Sequence, residues 1–484
     1  MLFNSIEYAI FLPIVFILYW FVFKKNLKLQ NIFLIIVSSI FYAWWDWRFL
    51  SLLFILIIVS YFVGLALTHQ YSLNKRRTLI LFGILVNVGV LGFFKYYNFF
   101  VDSFNSAFTI FGAGINLTSL NIILPLGISF YTFKIIGYGI DVYNKKIEAE
   151  KDFIAYAAFI SFFPQLLAGP IERASNLLPQ FHKSRIFEYD KAKDGMRQIL
   201  WGLFKKIVIA DNAATQVNFI FNNYESLNGS TLLLGAVYFA FQIYGDFSGY
   251  SDIAIGTGRL FGFNQMKNFA FPYFAKNIKE FWQKWHISLS NWLRDYIFLP
   301  LSYSLSRKLI SKKYFGLRSD KIVYTISITI TFLVCGLWHG ANWTFIIWGL
   351  LFAVYLVFSI YTKNFRTRIR KLLFINRMPF LSVLITFCFT MLGWIFFRAD
   401  NLTQAYSYIN HLFSVSLFSM PKQRDTILLI IILIIIEWIQ KNKQHGLEID
   451  RIRITAFRWA IYYAVILAIL NFGASQQQFI YFQF

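Results

Sequence analysis

The run Leu333-Val334-Cys335-Gly336-Leu337-Trp338-His339-Gly340-Ala341-Asn342-Trp343 sets one imidazole at the end of an apolar, aromatic-lined segment. That segment, 322–338, has the length of a membrane-crossing helix. An ionisable side chain at such a depth is costly to desolvate. It either hydrogen-bonds a neighbouring helix or does chemistry. Reading the segment as a span makes the chain a membrane protein, and the residues around it agree.

Of the 484 residues, 58% are hydrophobic and 21% aromatic, while only 14% are charged. A soluble domain carries about 25% charged residues. The net charge of +23 does not indicate nucleic acid, because the basic residues sit in short clusters between apolar segments, as in cytoplasmic loops. Cys335 and Cys388 both lie within apolar segments, so neither a disulfide framework nor a cysteine-rich metal site is expected. No Lys or Arg precedes the first apolar run, and Lys24-Lys25 follows it, so that run reads as a retained span rather than a cleaved signal peptide.

Outward from this stretch, spans are expected at 6–23, 30–45, 49–68 and 78–97. Lys24, Lys25 and Lys28, then Lys75, Arg76 and Arg77, fall on one side, which the positive-inside rule makes the cytoplasm. The segment 121–143 is broken by Pro125, Gly127, Gly137 and Gly139 and reads as a tunnel or re-entrant wall. The segment 153–169 either enters and returns or lies partly in the membrane, and 173–198 reads as cytoplasmic surface helix. Further segments fall at 199–216 and 231–247. Residues 267–320 carry ten Lys or Arg and three Asp or Glu among Trp and Phe, which suits amphipathic helices at the inner leaflet. Segments 322–338, 343–360, 380–397, 427–440 and 456–472 then alternate across the bilayer. Lys363, Arg366, Arg368, Arg370, Lys371 and Arg377 mark one inner loop, and Lys441, Lys443, Arg451 and Arg453 another. The expectation is an all-α, polytopic integral membrane protein of roughly 11–13 transmembrane helices, with re-entrant and amphipathic helices. It forms a single membrane domain over 1–484, ends in an uncharged tail, 473–484, and has both termini outside. Lys422 and Arg424, which fall outside in this scheme, fit it least well.

Four motifs carry a resemblance. Phe281-Trp282-Gln283-Lys284-Trp285-His286-Ile287-Ser288-Leu289-Ser290-Asn291-Trp292-Leu293-Arg294-Asp295-Tyr296 is followed some fifty residues later by Leu337-Trp338-His339-Gly340. Gly245-Asp246-Phe247-Ser248-Gly249-Tyr250-Ser251 and Phe163-Pro164-Gln165-Leu166-Leu167-Ala168-Gly169-Pro170 accompany them. Together they resemble the membrane-bound O-acyltransferase family, in its bacterial branch that O-acetylates alginate and peptidoglycan. The similarity runs through nearly the whole chain. It implies a buried tunnel reached from both sides with His339 as the catalytic histidine, and a second histidine, His286, nearer the cytoplasmic mouth. It also implies an acyl thioester donor, acetyl-CoA above all, no tightly bound cofactor or metal, a polysaccharide acceptor, and an SGNH-type partner acetyltransferase. The setting is the bacterial cytoplasmic membrane.

The chemistry fits these roles. Moving an acyl group from thioester to hydroxyl needs a base for the hydroxyl proton, and a buried neutral imidazole is one. His286 either orients the donor or packs among Trp282, Trp285 and Trp292. Lys284 and Arg294 meet coenzyme A phosphates or are ordinary positive-inside charge. Asp246, Ser248 and Ser251 line the tunnel or pack helices. Asn291, Trp338 and Asn342 complete the candidate lining, with Asn291 and Asp295 also within helical reach of the His286 region. The tail Phe479-Ile480-Tyr481-Phe482-Gln483-Phe484 resembles the C-terminal aromatic motif of the small partner in the D-alanyl-lipoteichoic acid system. On that resemblance Tyr481 relays the acyl group outward, an aryl ester remaining activated for a second transfer. The alternative for the tail is an interfacial anchor. The alternative for the protein is a transporter or flippase using His339, Asp246 and the broken 121–143 segment, which predicts pseudo-symmetric halves that the sequence does not display.

Overall fold

Inside a bilayer a backbone must satisfy its own hydrogen bonds, so the apolar segments fold as helices. The computed structural model describes residues 1–69, 71–110, 117–314, 316–372, 378–414, 417, 419–474 and 476–482. Most of them are helical, and the strands among them amount to one two-residue antiparallel pair, Lys313–Tyr314 with Leu317–Arg318. Arg377, Gln483 and Phe484 lie outside the described residues.

Seven helices among the described residues are long and apolar enough to cross a membrane: Leu27–Asp46, Arg48–Ala66, Leu73–Thr109, Ser319–His339, Trp343–Tyr361, Pro379–Arg398 and Thr455–Phe472. Ile6–Val22 and Ile427–Ile439 are shorter apolar helices. The protein is therefore a multi-pass membrane protein. The larger sequence count includes the middle segments, whose helices take other forms. Phe153–Ser161 has nine residues, about 14 Å, against a hydrocarbon core of about 30 Å. The four-residue helix Phe163–Leu166 follows at once. Non-helical chain precedes the helix Ile128–Tyr143, so the break falls at Pro125–Gly127, whereas Gly137 and Gly139, also expected to break the segment, lie inside a continuous helix. Segment 231–247 belongs to a 32-residue helix, Gly229–Leu260.

The chain divides into two compact units. The first comprises Met1–Ile199 and Tyr250–Met266. In it, the Lys134 ammonium donates to the carbonyls of Phe159 (3.0 Å) and Ile160 (3.3 Å) and to Gln165 Oε1 (3.2 Å). Those carbonyls lie at the C-terminal end of the Phe153–Ser161 helix, where the helix leaves acceptors unmet. The irregular backbone at Pro125–Leu126 and over 162–170 is buried in protein, whereas Asn121 and Ile123 before it are exposed. The motif 163–170 is buried throughout.

The second unit comprises Leu200–Gly249 and Lys267–Phe484. It contains both histidines and the C-terminal tail. The first helix to enter it changes winding midway: Tyr189–Leu203, which begins in the first unit's residues, passes into a π-helical stretch, Phe204–Ala210, and then into Asp211–Asn222. Such wide turns occur often at functional sites. The basic, aromatic region forms short helices, Ile278–Lys284, Ile287–Leu293 and Leu299–Lys308.

Candidate active site

His339 is the last residue of the Ser319–His339 helix. The chain turns at Gly340-Ala341, and Asn342 caps the next helix by accepting from the Thr344 amide at 3.0 Å. The two helices pack as a close hairpin because Gly336 has no side chain. A Cβ there would lie 2.3 Å from the Phe345 carbonyl oxygen. The hairpin fixes the height of His339, and rings enclose it. Trp338 and Trp348 lie 4.9 Å from the imidazole centroid, Phe397 5.3 Å and Tyr481 5.6 Å. The imidazole is buried.

His286 is held in another way. It sits between the helices Ile278–Lys284 and Ile287–Leu293 with φ 42° and ψ 56°, the left-handed region. That conformation strains a non-glycine residue and persists only where the surroundings enforce it. Asn268 does the enforcing. Its side-chain oxygen faces His286 Nδ1 at 3.1 Å and accepts from the Ser288 hydroxyl at 2.9 Å, while its carbonyl accepts from the Ile287 amide at 2.9 Å. With an amide oxygen against Nδ1, that nitrogen carries the proton and Nε2 the lone pair. Burial pushes the imidazole pKa down, to about 3, so the ring is neutral.

The C-terminal tail enters the same cluster. Ile480–Phe482 forms a single 3-10 turn. The Tyr481 ring lies 5.6 Å from His339, 6.4 Å from His286, 6.3 Å from Trp338 and 4.2 Å from Phe247. Trp338 in turn lies 5.8 Å from His286. Two imidazoles, one phenol and one indole thus form one contiguous ring cluster, all within the second unit. The Tyr481 hydroxyl is covered although the residue as a whole is half-buried, and burial pushes its pKa above the ordinary phenol value. The phenol therefore needs a base before it can act as a nucleophile. A polar pocket of about 470 Å³ adjoins the His339 turn and the tail, lined by Asn218, Gln242, Asn342, Arg398, Asp400 and Gln477 among others. A larger apolar groove of about 1200 Å³ along Ile427–Ile439 touches neither histidine.

Other residues singled out in the sequence are dispersed. Asp246 pairs with Lys206 at 2.8 Å and accepts from the Ile480 amide at 2.6 Å. Ser248 accepts from Lys205 at 2.8 Å. Ser251 is buried in the first unit. Lys284 is paired with Glu280 at 2.7 Å, one helical turn back. Arg294 is exposed and paired with Asp295 at 2.8 Å. Asn291 is half-buried, and the amide that faces the His286 ring is that of Asn268. Asn342 also donates to the Asp400 carbonyl at 2.8 Å. Sequence reading missed Asn268, Lys206 and Asp211. The one available signal was the cost of Asp246 at membrane depth, which demands a partner.

The family model for membrane-bound O-acyltransferases, a class of integral-membrane acyltransferases, matches residues 147–399. The chain belongs to that family, and the matched region holds both histidines. A protein of Pseudomonas syringae pv. tomato described as a probable alginate O-acetylase is 38% identical, over 85% of this chain and 74% of its own length. A Helicobacter pylori peptidoglycan O-acetyltransferase is 34% identical, over 98% of this chain and 95% of its own. A Bacillus subtilis teichoic acid D-alanyltransferase is 28% identical, over 57% and 69%. Between the two function classes considered from the sequence, family membership selects the acyltransferase over the transporter.

Proposed function

We propose that the protein transfers acetyl groups from cytoplasmic acetyl-CoA, across the bacterial cytoplasmic membrane, to hydroxyls of an extracytoplasmic polysaccharide such as an alginate-like polymer or peptidoglycan. The observation that carries this reading is the approach of the Tyr481 ring to His339, 5.6 Å between centroids, inside the ring cluster. His339 takes the phenolic proton as the Tyr481 oxygen attacks the thioester carbonyl. The thiolate leaves and recovers that proton as free CoA, and an aryl ester remains on Tyr481. An acceptor hydroxyl then attacks the ester carbon. His339 takes its proton and returns it to the departing phenolate, so both groups end as they began.

His286 orients the thioester from the other side of Trp338. The basic inner loops support an inward-facing donor mouth, and the uncharged tail supports an outward-facing exit with both termini extracytoplasmic. The polar pocket beside Asn342 and Gln477 is where the acceptor, or an SGNH-type partner that carries acyl groups onward, reaches the ester. The descriptions of the alginate and peptidoglycan relatives support acetyl as the group and a glycan as its destination.

The test uses the full chain in lipid vesicles with acetyl-CoA labelled on the acetyl group. Release of CoA, with base-labile label on the C-terminal peptide containing Tyr481, is the expected result. Neither Tyr481→Phe nor His339→Ala should retain that label. Transfer to a glycan at the wild-type rate by Tyr481→Phe removes the relay, and unchanged transfer by His339→Ala removes the whole reading.

A further inference from the structure

We propose that Lys206, Asp211 and Asp246 form a buried ionic latch that seats the C-terminal tail in the ring cluster and so positions the Tyr481 phenol against His339. Its catalytic consequence rests on the relay reading; its mechanical role does not.

An ammonium has three protons to donate, and Lys206 directs its nitrogen to three acceptors. Asp211 and Asp246 each lie at 2.8 Å, and the Gln477 carbonyl of the tail at 3.1 Å. The carboxylates reach back to the same strip of tail. Asp246 accepts from the Ile480 amide at 2.6 Å, and Asp211 accepts from the Gln477 amide. All three side chains are buried. Buried charge is tolerated only where its hydrogen bonds are complete. Here the completing groups are backbone atoms of residues 477 and 480. Without the tail, an acceptor and two donors are missing from a cluster that the protein interior cannot hydrate cheaply. The cluster is therefore built for the tail as much as for holding its own helices together.

The local backbone serves this arrangement. Lys206 projects from the π-helical stretch Phe204–Ala210. The Gly229–Leu260 helix approaches that stretch closely at Gly245 and Gly249, where an added Cβ would meet the Lys205 carbonyl oxygen at 3.0 Å and the Gly202 carbonyl oxygen at 2.8 Å. Small residues four apart permit this contact, and Asp246 and Ser248 lie between them. The same first helix holds the root of the tail, because Asn212 donates to the Phe472 carbonyl at 2.7 Å. The tail is thus gripped at its root and just before Tyr481.

The test reads tail seating directly. Cys388, which is exposed, is replaced by Ala, and Phe479→Cys places a thiol on the seated tail, at a position that is buried. Native Cys335, buried in the histidine hairpin, reports the integrity of the core. Lys206→Met and, as the isosteric variant that disturbs folding least, Asp246→Asn are introduced into this background, and maleimide labelling is followed in the full chain. The expected result in either variant is labelling at position 479 faster by about 10- to 100-fold, the effect of losing a charged hydrogen bond, with Cys335 still protected. Protection of position 479 in both variants overturns the latch. So does exposure of Cys335 together with position 479, because the triad then only stabilises the core. Tyr481→Phe in the same background separates the two readings. Lost acyl transfer with position 479 still protected is the relay without any change of seating. Retained transfer sinks the relay and leaves the latch to be judged by labelling alone.

Discussion

The two histidine segments keep an imidazole in an apolar interior by opposite means. His286 is held by hydrogen bonds and a left-handed backbone, with Asn268 bonded to its ring, its neighbouring hydroxyl and the following amide. His339 ends a regular 21-residue helix and is positioned by shape, between the edges and faces of Trp348, Phe397, Trp338 and Tyr481. A ring whose Nδ1 is committed to an amide has one orientation and one tautomer, which suits a group that orients a substrate. A ring walled by aromatic side chains is placed by packing beside Tyr481, which is the placement the proposed proton transfer needs.

This contrast ranks the expected losses. His339→Ala should lower acyl transfer by about 10²–10⁴-fold, the usual worth of a general base, with unfolding temperature and gel-filtration profile unchanged. A loss confined to the apparent affinity for donor would assign His339 to binding instead. Tyr481→Phe removes one oxygen and nothing of the ring packing, so glycan acylation should fall to background while CoA-thioester binding persists, measured by isothermal titration. Asn268→Ala and His286→Ala should be non-additive, since one residue acts through the other. A double-mutant cycle on the transfer rate is expected to give a coupling of about 0.5–3 kcal/mol, and strictly additive losses would break the orienting role. Arg294→Ala removes an exposed pair with Asp295 and should change the rate by less than about 1 kcal/mol. A larger effect would move the donor site outward, away from His286.

The sequence made the helical spans legible because each one writes itself as a continuous apolar run, and Ser319–His339 and Trp343–Tyr361 fall within a few residues of where those runs lie. It made His339 and His286 visible through local motifs. The ring cluster itself was not legible. Asn268 stands 18 residues before His286, in no periodic relation to it. Lys206 reads as a stray charge in a hydrophobic segment until the chain brings it to Asp246, 40 positions on. Such pairings are long-range facts of packing, and hydropathy records only the cost of each partner. Tyr481 was singled out through the tail's resemblance to an aromatic C-terminal motif, and its place beside His339 is again a fact of packing.

The connection between the last span and Tyr481 has a further consequence. Nine peptide steps separate Phe472 from Tyr481, so even fully drawn out the phenol travels about 30 Å from the helix end. On the proposed relay, an acyl group carried on Tyr481 is on a short leash, tied to the end of the last span. A polymer beyond that reach would receive it only if its hydroxyl, or a go-between carrying the acyl group, came to Tyr481.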